Sequence, residues 1–332
     1  MHFEPILIIG ALIVLALAFD FMNGFHDAAN SVAILVSTRA MAPKWAVLWA
    51  AFFNFVAFFL FGIQVAKTIG AGIVMPGVVD NSVIFGALAG ATVWNIVTWR
   101  LGIPSSSSHA LVGGLAGAAI SKGGWGSLVG YGFIKTSLAI VLSPLLGLIL
   151  AALFVIARSW ILVRSAPSAV DLKFKRLQFV SACLYSLGHG GNDAQKTMGI
   201  IAALLFSNNI LTGQFTVPLW VVLSCQAAMG LGTLFGGWRI VRTMGMGLTK
   251  LKPISGFCAQ SAGALTLFLA TWLGIPVSTT HTITGAIVGV GMTRGASAVR
   301  WYVARNIVWA WILTIPAAGI IAAMCQALAS RM

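Results

Sequence analysis

The chain has 332 residues, 59% of them hydrophobic and only 8% charged, with a mean hydropathy of +0.97. A soluble domain carries about 25% charged residues, so the composition excludes a soluble globular protein and points to an integral membrane protein. The net charge of +14 gathers in a few inter-helix segments and makes no basic face interleaved with aromatics, which argues against nucleic acid and for membrane topology.

Crossing a bilayer as a helix takes about 20 apolar residues. In chain order the apolar segments are 5–36, 45–66, 82–100, 105–120, 128–157, 178–204, 217–237, 255–273, 278–293 and 303–328. The first opens with Ile6 to Phe19, which lacks a basic flank and runs straight into polar residues. It reads as a retained helix and not a signal peptide. Its centre carries Asp20, Asn23, His26, Asp27 and Asn30. It is too long for one simple crossing, so a break or strong tilt is expected near Gly24. Segments 82–100 and 105–120 are short and joined by Gly102-Ile103-Pro104; segments 255–273 and 278–293 are joined by Gly274-Ile275-Pro276. Short apolar pieces interrupted by Gly and Pro at matching places in two halves point to discontinuous helices that line a transport site. Cys183, Cys225, Cys258 and Cys325 lie far apart in apolar runs and read as small buried hydrophobes.

Two motifs occur twice. Asn23-Gly24-Phe25-His26-Asp27-Ala28-Ala29-Asn30 is echoed by His189-Gly190-Gly191-Asn192-Asp193-Ala194-Gln195-Lys196. Leu101-Gly102-Ile103-Pro104-Ser105-Ser106-Ser107-Ser108-His109 is echoed by Leu273-Gly274-Ile275-Pro276-Val277-Ser278-Thr279-Thr280-His281. The loop charges then swap sides between the halves. Arg39 and Lys44 follow the first helix, whereas 205–216 has no basic residue; 67–81 has only Lys67, whereas 238–254 has Arg239, Arg242, Lys250 and Lys252. Under the positive-inside rule this is the pattern of inverted repeats. The expected architecture is therefore all-α, with two inverted-topology repeats whose broken or re-entrant helices meet at a midplane site. The expected boundaries are 1–157 for the first repeat, 158–177 for a basic cytoplasmic linker and 178–332 for the second repeat, with both termini outside.

An ionisable side chain in hydrocarbon normally faces a partner or a water-filled path. Asn23, Asp27 and Asn30 stand at i, i+4 and i+7, so they share a face wherever that stretch is helical; His189, Asp193 and Lys196 stand at the matching offsets. A carboxylate with amide oxygens can hold a small hard cation, or, shielded from water, a proton. Simple pairing of Asp193 with Lys196 is the structural alternative. The Ser/Thr motifs each follow a Pro and precede a glycine-rich helix, so they read as helix starts. Their hydroxyls can cap the helix or, with the free backbone N–H groups, hold an oxyanion. His109 and His281 read as core histidines. They make no HExxH arrangement, and neither a metal nor a cofactor site emerges. Arg100 and Arg305 are expected to snorkel to the interface, and the aromatics, including twelve Trp, mostly to serve interface belts and packing.

At these residues the chain resembles the inorganic phosphate transporter (PiT) family, through GFHDAANSVA and GGNDAQKTMG and through PSSSSH and PVSTTH, over nearly its whole length. The resemblance implies an inverted-repeat transporter of the cell membrane that imports phosphate with a cation by alternating access. It places cation or proton coupling at Asp27 and Asp193, beside Asn23, Asn30, Asn192 and Lys196. It places phosphate at Ser106, Ser107, Ser108, Ser278, Thr279 and Thr280, beside Gln195. His26 and Lys196 depart from the sodium-coupled pattern, in which Asn is usual at both positions. The GxNDxQK form is similar to the bacterial low-affinity branch, which implies proton coupling and, as cargo, phosphate alone or a neutral metal–phosphate complex. Sodium coupling and a sulfate permease of the same fold are the alternatives. An anion channel would not need the repeated carboxylates, and a membrane enzyme would need a nucleophile–base or metal set that is not visible. The glycine-rich helices offer packing faces for a homo-oligomer without specifying one.

Overall fold

The structure is a computed structural model that describes residues 3–164 and 167–331. Among the described residues, twelve α-helices run in the order α1 (Phe3–Ser37), α2 (Pro43–Val56), α3 (Gln64–Ala71), α4 (Asn81–Leu101), α5 (Ser107–Gly123), α6 (Gly130–Ile161), α7 (Pro167–Ser207), α8 (Leu219–Phe235), α9 (Trp238–Gly247), α10 (Pro253–Trp272), α11 (Thr279–Met292) and α12 (Trp301–Ala329). No β-strand occurs among the described residues beyond one isolated bridge, Val74 to Leu128. The order of element types repeats. A long helix, a broken pair, two shorter helices and a long helix carrying an internal Pro (Pro144 or Pro316) make up α1–α6 and again α7–α12.

Among the described residues, five helices are long and apolar enough to cross a membrane, and two bent pairs qualify when each pair is taken together. Side chains that face outward on α6 include Leu138, Val141, Leu142, Leu145, Ile149 and Leu153, an apolar surface suited to the interior of a bilayer. Exposed Trp45, Trp125, Trp160, Trp272 and Trp301 stand at or near helix ends, as interface belts require. Arg100 and Arg305 are exposed, in keeping with snorkelling.

Three expectations about segment shape are corrected. First, α1 is continuous through Gly24. This glycine serves packing and not a break: a Cβ there would stand 2.1 Å from the Met229 carbonyl oxygen of α8. Second, beside the expected breaks before α5 and α11, further breaks fall in segments that read as single helices. Segment 45–66 divides into α2 and α3, bent by 84°, and segment 217–237 continues as α8 and α9, bent by 73°. Residues 238–247, expected as loop, are therefore helix. Third, most of the basic stretch 158–177 is helical. α6 extends through Ile161 and α7 begins at Pro167, so Lys173, Lys175 and Arg176 ride on α7. Residues 165 and 166, between the two, lie outside the described residues.

The core positions the polar motifs. One apolar cluster takes Ile9, Leu12, Ala16 and Phe19 of α1 with parts of α3, α4, α5, α7 and α8. A second takes Ala29, Ala33 and Ile34 of α1 with parts of α6, α7 and α9–α12. The polar stretch of α1 from Asp20 to Asp27 lies between the two. α1 packs against α7, so both Asp motifs sit side by side at the centre. The short helices cross over: α5 lies on α12, and α11 lies on α6. Each half thereby holds the short helix of the other.

Candidate functional site

Both Ser/Thr motifs begin a helix in the same way. α4 ends in Gly102 at φ +66°, and α10 is followed by Gly274 at φ +65°. Such left-handed backbone suits glycine because it lacks a Cβ. The chain then extends through Pro104 or Pro276 and enters the next helix. Ser106 caps α5 by accepting from the His109 N–H at 3.2 Å, and Ser278 caps α11 by accepting from the His281 N–H at 3.1 Å. Ser106 and Ser278, expected as phosphate ligands, thus have their oxygens on backbone N–H groups. The hydroxyls that follow them face the two carboxylates.

Asp27 receives three donors. His26 Nδ1 lies 2.7 Å from Oδ1; a carboxylate only accepts, so Nδ1 carries the hydrogen. Ser107 donates to Oδ2 at 3.3 Å and Thr280 donates to Oδ1 at 3.3 Å. Asn30, one turn further on, donates to Thr280 at 2.9 Å and to Thr279 at 3.3 Å. Asp193 is matched more closely. Lys196 donates to its Oδ1, Thr279 donates to its Oδ2 at 2.9 Å, and His189 Nε2 stands 3.2 Å from Oδ2. The remaining hydrogens of the Lys196 ammonium go to Ser108 and, at 2.7 Å, to the Val277 carbonyl. All three of its donors are satisfied. The ammonium is thus a fixed part of the cluster, and the pairing with Asp193 that stood as the structural alternative is observed.

Two residues expected at the site serve its walls. Gln195 accepts from Val65 N–H at 3.0 Å and Ala66 N–H at 3.3 Å, at the start of α3, while its amide donates to Gly191 O at 2.7 Å. It is a cap for α3 and not a ligand in this conformation, because both ends of its amide are engaged. Asn192 donates to Thr271 and to the Ile275 carbonyl and accepts from Val277 N–H, which ties α7 to the turn before α11. Asn23 is buried on α1, and its Oδ1 has no hydrogen-bond partner.

Three contributors were not singled out from sequence. Asn54 accepts from His189 Nδ1 at 3.2 Å and donates to Thr233 at 3.0 Å. This fixes the hydrogen on Nδ1 and aims Nε2 at the carboxylates. Tyr185 donates to the Thr279 carbonyl at 3.0 Å. Thr98 accepts from Ser105 at 2.9 Å and stands 3.2 Å from His26 Nε2. Asn54 is a lone amide in an apolar run, a weak signal; Tyr185 and Thr98 had none. His109 and His281 meet edge to face with centroids 4.2 Å apart, and His281 stacks on Trp311, as core histidines would. All four cysteines are free.

One oxygen each of Asp27 and Asp193 and one nitrogen of His189 lie within 4.8 Å of one another. Two carboxylates and an imidazole can hold a divalent cation. The site is closed: Asp27 is 2% exposed, Asp193 0%, Ser107 0% and Thr280 1%.

The family model described as the phosphate transporter family matches residues 23–173 and 163–322, which together take in both copies of both motifs. The chain belongs to this family. A relative from Rhizobium meliloti (strain 1021), named a probable low-affinity inorganic phosphate transporter, is 65% identical over 97% of this chain and 96% of its own length. One of the same name from Bacillus subtilis (strain 168) is 44% identical over 94% of this chain and 95% of its own. A solved structure titled the sodium-dependent phosphate transporter matches with a TM-score of 0.90 at 26% identity, over 98% of this chain and 99% of that one. Members of the phosphate transporter family are transporters and not enzymes, and this member is a multi-pass membrane protein. His26 and Lys196 are the basic partners of Asp27 and Asp193, and Asn54 acts on the cluster through His189.

Proposed function

We propose that this chain imports inorganic phosphate across the cytoplasmic membrane together with protons, by alternating access of two inverted repeats around the Asp27–Asp193 cluster. One observation carries the reading: carboxylates from α1 and α7 and hydroxyls from the starts of α5 and α11 converge in one buried cluster. The arrangement suggests how coupling would work. A hydroxyl has one hydrogen, and those of Ser107, Thr279 and Thr280 now go to carboxylates. Neutralising the carboxylates frees these donors to turn to the oxygens of an anion. Loading of the positive partner and binding of phosphate thus draw on the same three hydrogens.

Proton coupling is favoured over sodium by Lys196. Its ammonium sits against Asp193, Ser108 and Val277, where it repels a second monovalent cation. Sodium remains the alternative because the structural relative is titled sodium-dependent. A metal–phosphate complex, neutral as a whole, is the alternative cargo, with Asp27, His189 and Asp193 as the group that could face its metal. The basic residues at the α6–α7 junction support a cytoplasmic location for it, with both termini outside.

The test is labelled phosphate uptake into proteoliposomes under a proton gradient or a sodium gradient, imposed separately, with sulfate as competitor. Uptake driven by the proton gradient alone supports the proposal. Uptake only with sodium refutes proton coupling. Sulfate uptake without phosphate uptake refutes the substrate.

A further inference from the structure

Asp20 is the one carboxylate of the polar stretch that neither the Asp motifs nor the cluster explains. It lies seven residues before Asp27 on α1, about 10 Å along the helix. It is 0% exposed, and neither of its oxygens has a hydrogen-bond partner. Beside it are Asn23 on α1, Thr197 on α7 and Cys225 on α8, and none closes a bond of good geometry. The Asn23 amide oxygen and the Thr197 hydroxyl are themselves unpartnered. The charged group acting on it from a neighbouring helix is Asp193, of the same sign. No ion pair among the described residues involves Asp20. Asp27 and Asp193, by contrast, each hold a basic partner and at least one hydroxyl donor.

An ionised carboxylate left bare in an apolar interior is far more costly than its neutral acid. The closed conformation therefore calls for a proton on Asp20 and makes no such demand on Asp27 or Asp193. We infer that Asp20 is the proton-carrying group of the transport cycle, taking a proton from the outer side and releasing it to cytoplasmic water. The inference rests on the proton-coupled reading above and moves the coupling site from the paired carboxylates to the unpaired one. The step balances: one O–H bond forms on loading and the same bond breaks on release, with water as the acceptor. The side chains around Asp20 suit both states. The Asn23 amide, Thr197 hydroxyl and Cys225 thiol all carry hydrogens that can turn onto the carboxylate when the empty carrier returns.

The test compares wild type, Asp20→Asn and Asp20→Glu in proteoliposomes, with an infrared spectrum of each. Wild type should show the carbonyl stretch of a protonated carboxylic acid, Asp20→Asn should lack it, and Asp20→Glu should restore it at a shifted frequency. Asp20→Asn should also lose net phosphate uptake driven by a pH gradient, and Asp20→Glu should recover it. Uptake by Asp20→Asn that follows the pH gradient as in wild type overturns the inference. So does a carboxylic acid band unchanged by the substitution, whatever happens to transport. A band that vanishes in a variant without any transport still supports protonation of Asp20. Wild type that moves no phosphate refutes the functional proposal and leaves the infrared result to decide on Asp20. Wild-type uptake that follows only sodium and shows no acid band overturns the inference in favour of a metal cation at Asp20.

Discussion

Replacing Lys196 tests whether the ammonium is a fixed structural charge of the cluster. Lys196 is 1% exposed, and its three hydrogens go to Asp193, Ser108 and Val277 O. Lys196→Met keeps much of the aliphatic volume and removes the charge. Breaking a buried pair by deleting one partner costs about 3–5 kcal/mol. Asp193 would keep the Thr279 donor at 2.9 Å, so the lower end, about 3 kcal/mol, is expected. Asp193→Asn strands the ammonium instead and should destabilise by a similar amount. The double variant carries neither charge, so its loss should fall short of the sum of the two single losses by about 3 kcal/mol. The assay is equilibrium unfolding in detergent micelles of all four proteins, a readout independent of transport. Losses that add to within about 0.5 kcal/mol would refute the coupling.

Other consequences follow from single contacts. Ser107→Ala and Thr280→Ala each remove a donor proposed to turn from Asp27 to phosphate. A hydrogen bond to a charged group is worth about 1.5–3 kcal/mol, so the apparent KM for phosphate should rise about tenfold or more in each; an unchanged KM in both removes them from the site. Gly24→Ala drives a Cβ into the Met229 carbonyl and should cut the yield of monodisperse protein on size exclusion. Gly10→Ala, with open space around it, should leave that yield as in wild type. Asp80, the N-cap of α4, is partly buried, which raises its pKa, yet hydrogen bonds from Lys122, Val83 N–H and Ser82 outweigh this and hold it below the usual carboxylate value. A depressed folded pKa means a stabilising contribution that is complete above about pH 4 and disappears as pH falls through the depressed value. Asp80→Asn should therefore unfold at lower temperature than wild type at neutral pH, with the gap closing in acid; a gap independent of pH would refute this role.

Much of the molecule is local information, and local information is legible in the chain. Apolar length set by the bilayer marks most of the membrane helices. The step from Gly102 or Gly274 through Pro104 or Pro276 to a run of hydroxyls marks two helix starts, because left-handed backbone, an imino residue and a capping serine are each a property of a few neighbouring residues. The two Asp motifs stood out because a carboxylate in an apolar run needs a reason. What depended on the tertiary structure is how these pieces face one another. Gly24 looked like a break and proved to be a contact with α8, since whether a glycine bends a helix or admits a neighbour depends on the neighbour. The contacts of Asp27 with Thr280, Lys196 with Ser108 and His189 with Asn54 join residues far apart in sequence. Gln195 was drawn away from the site by the start of α3, a helix that sequence had merged with α2. The distinction between paired Asp27 and Asp193 and unpaired Asp20 arises the same way. All three are carboxylates in apolar helices, and only packing decides which of them meets a donor.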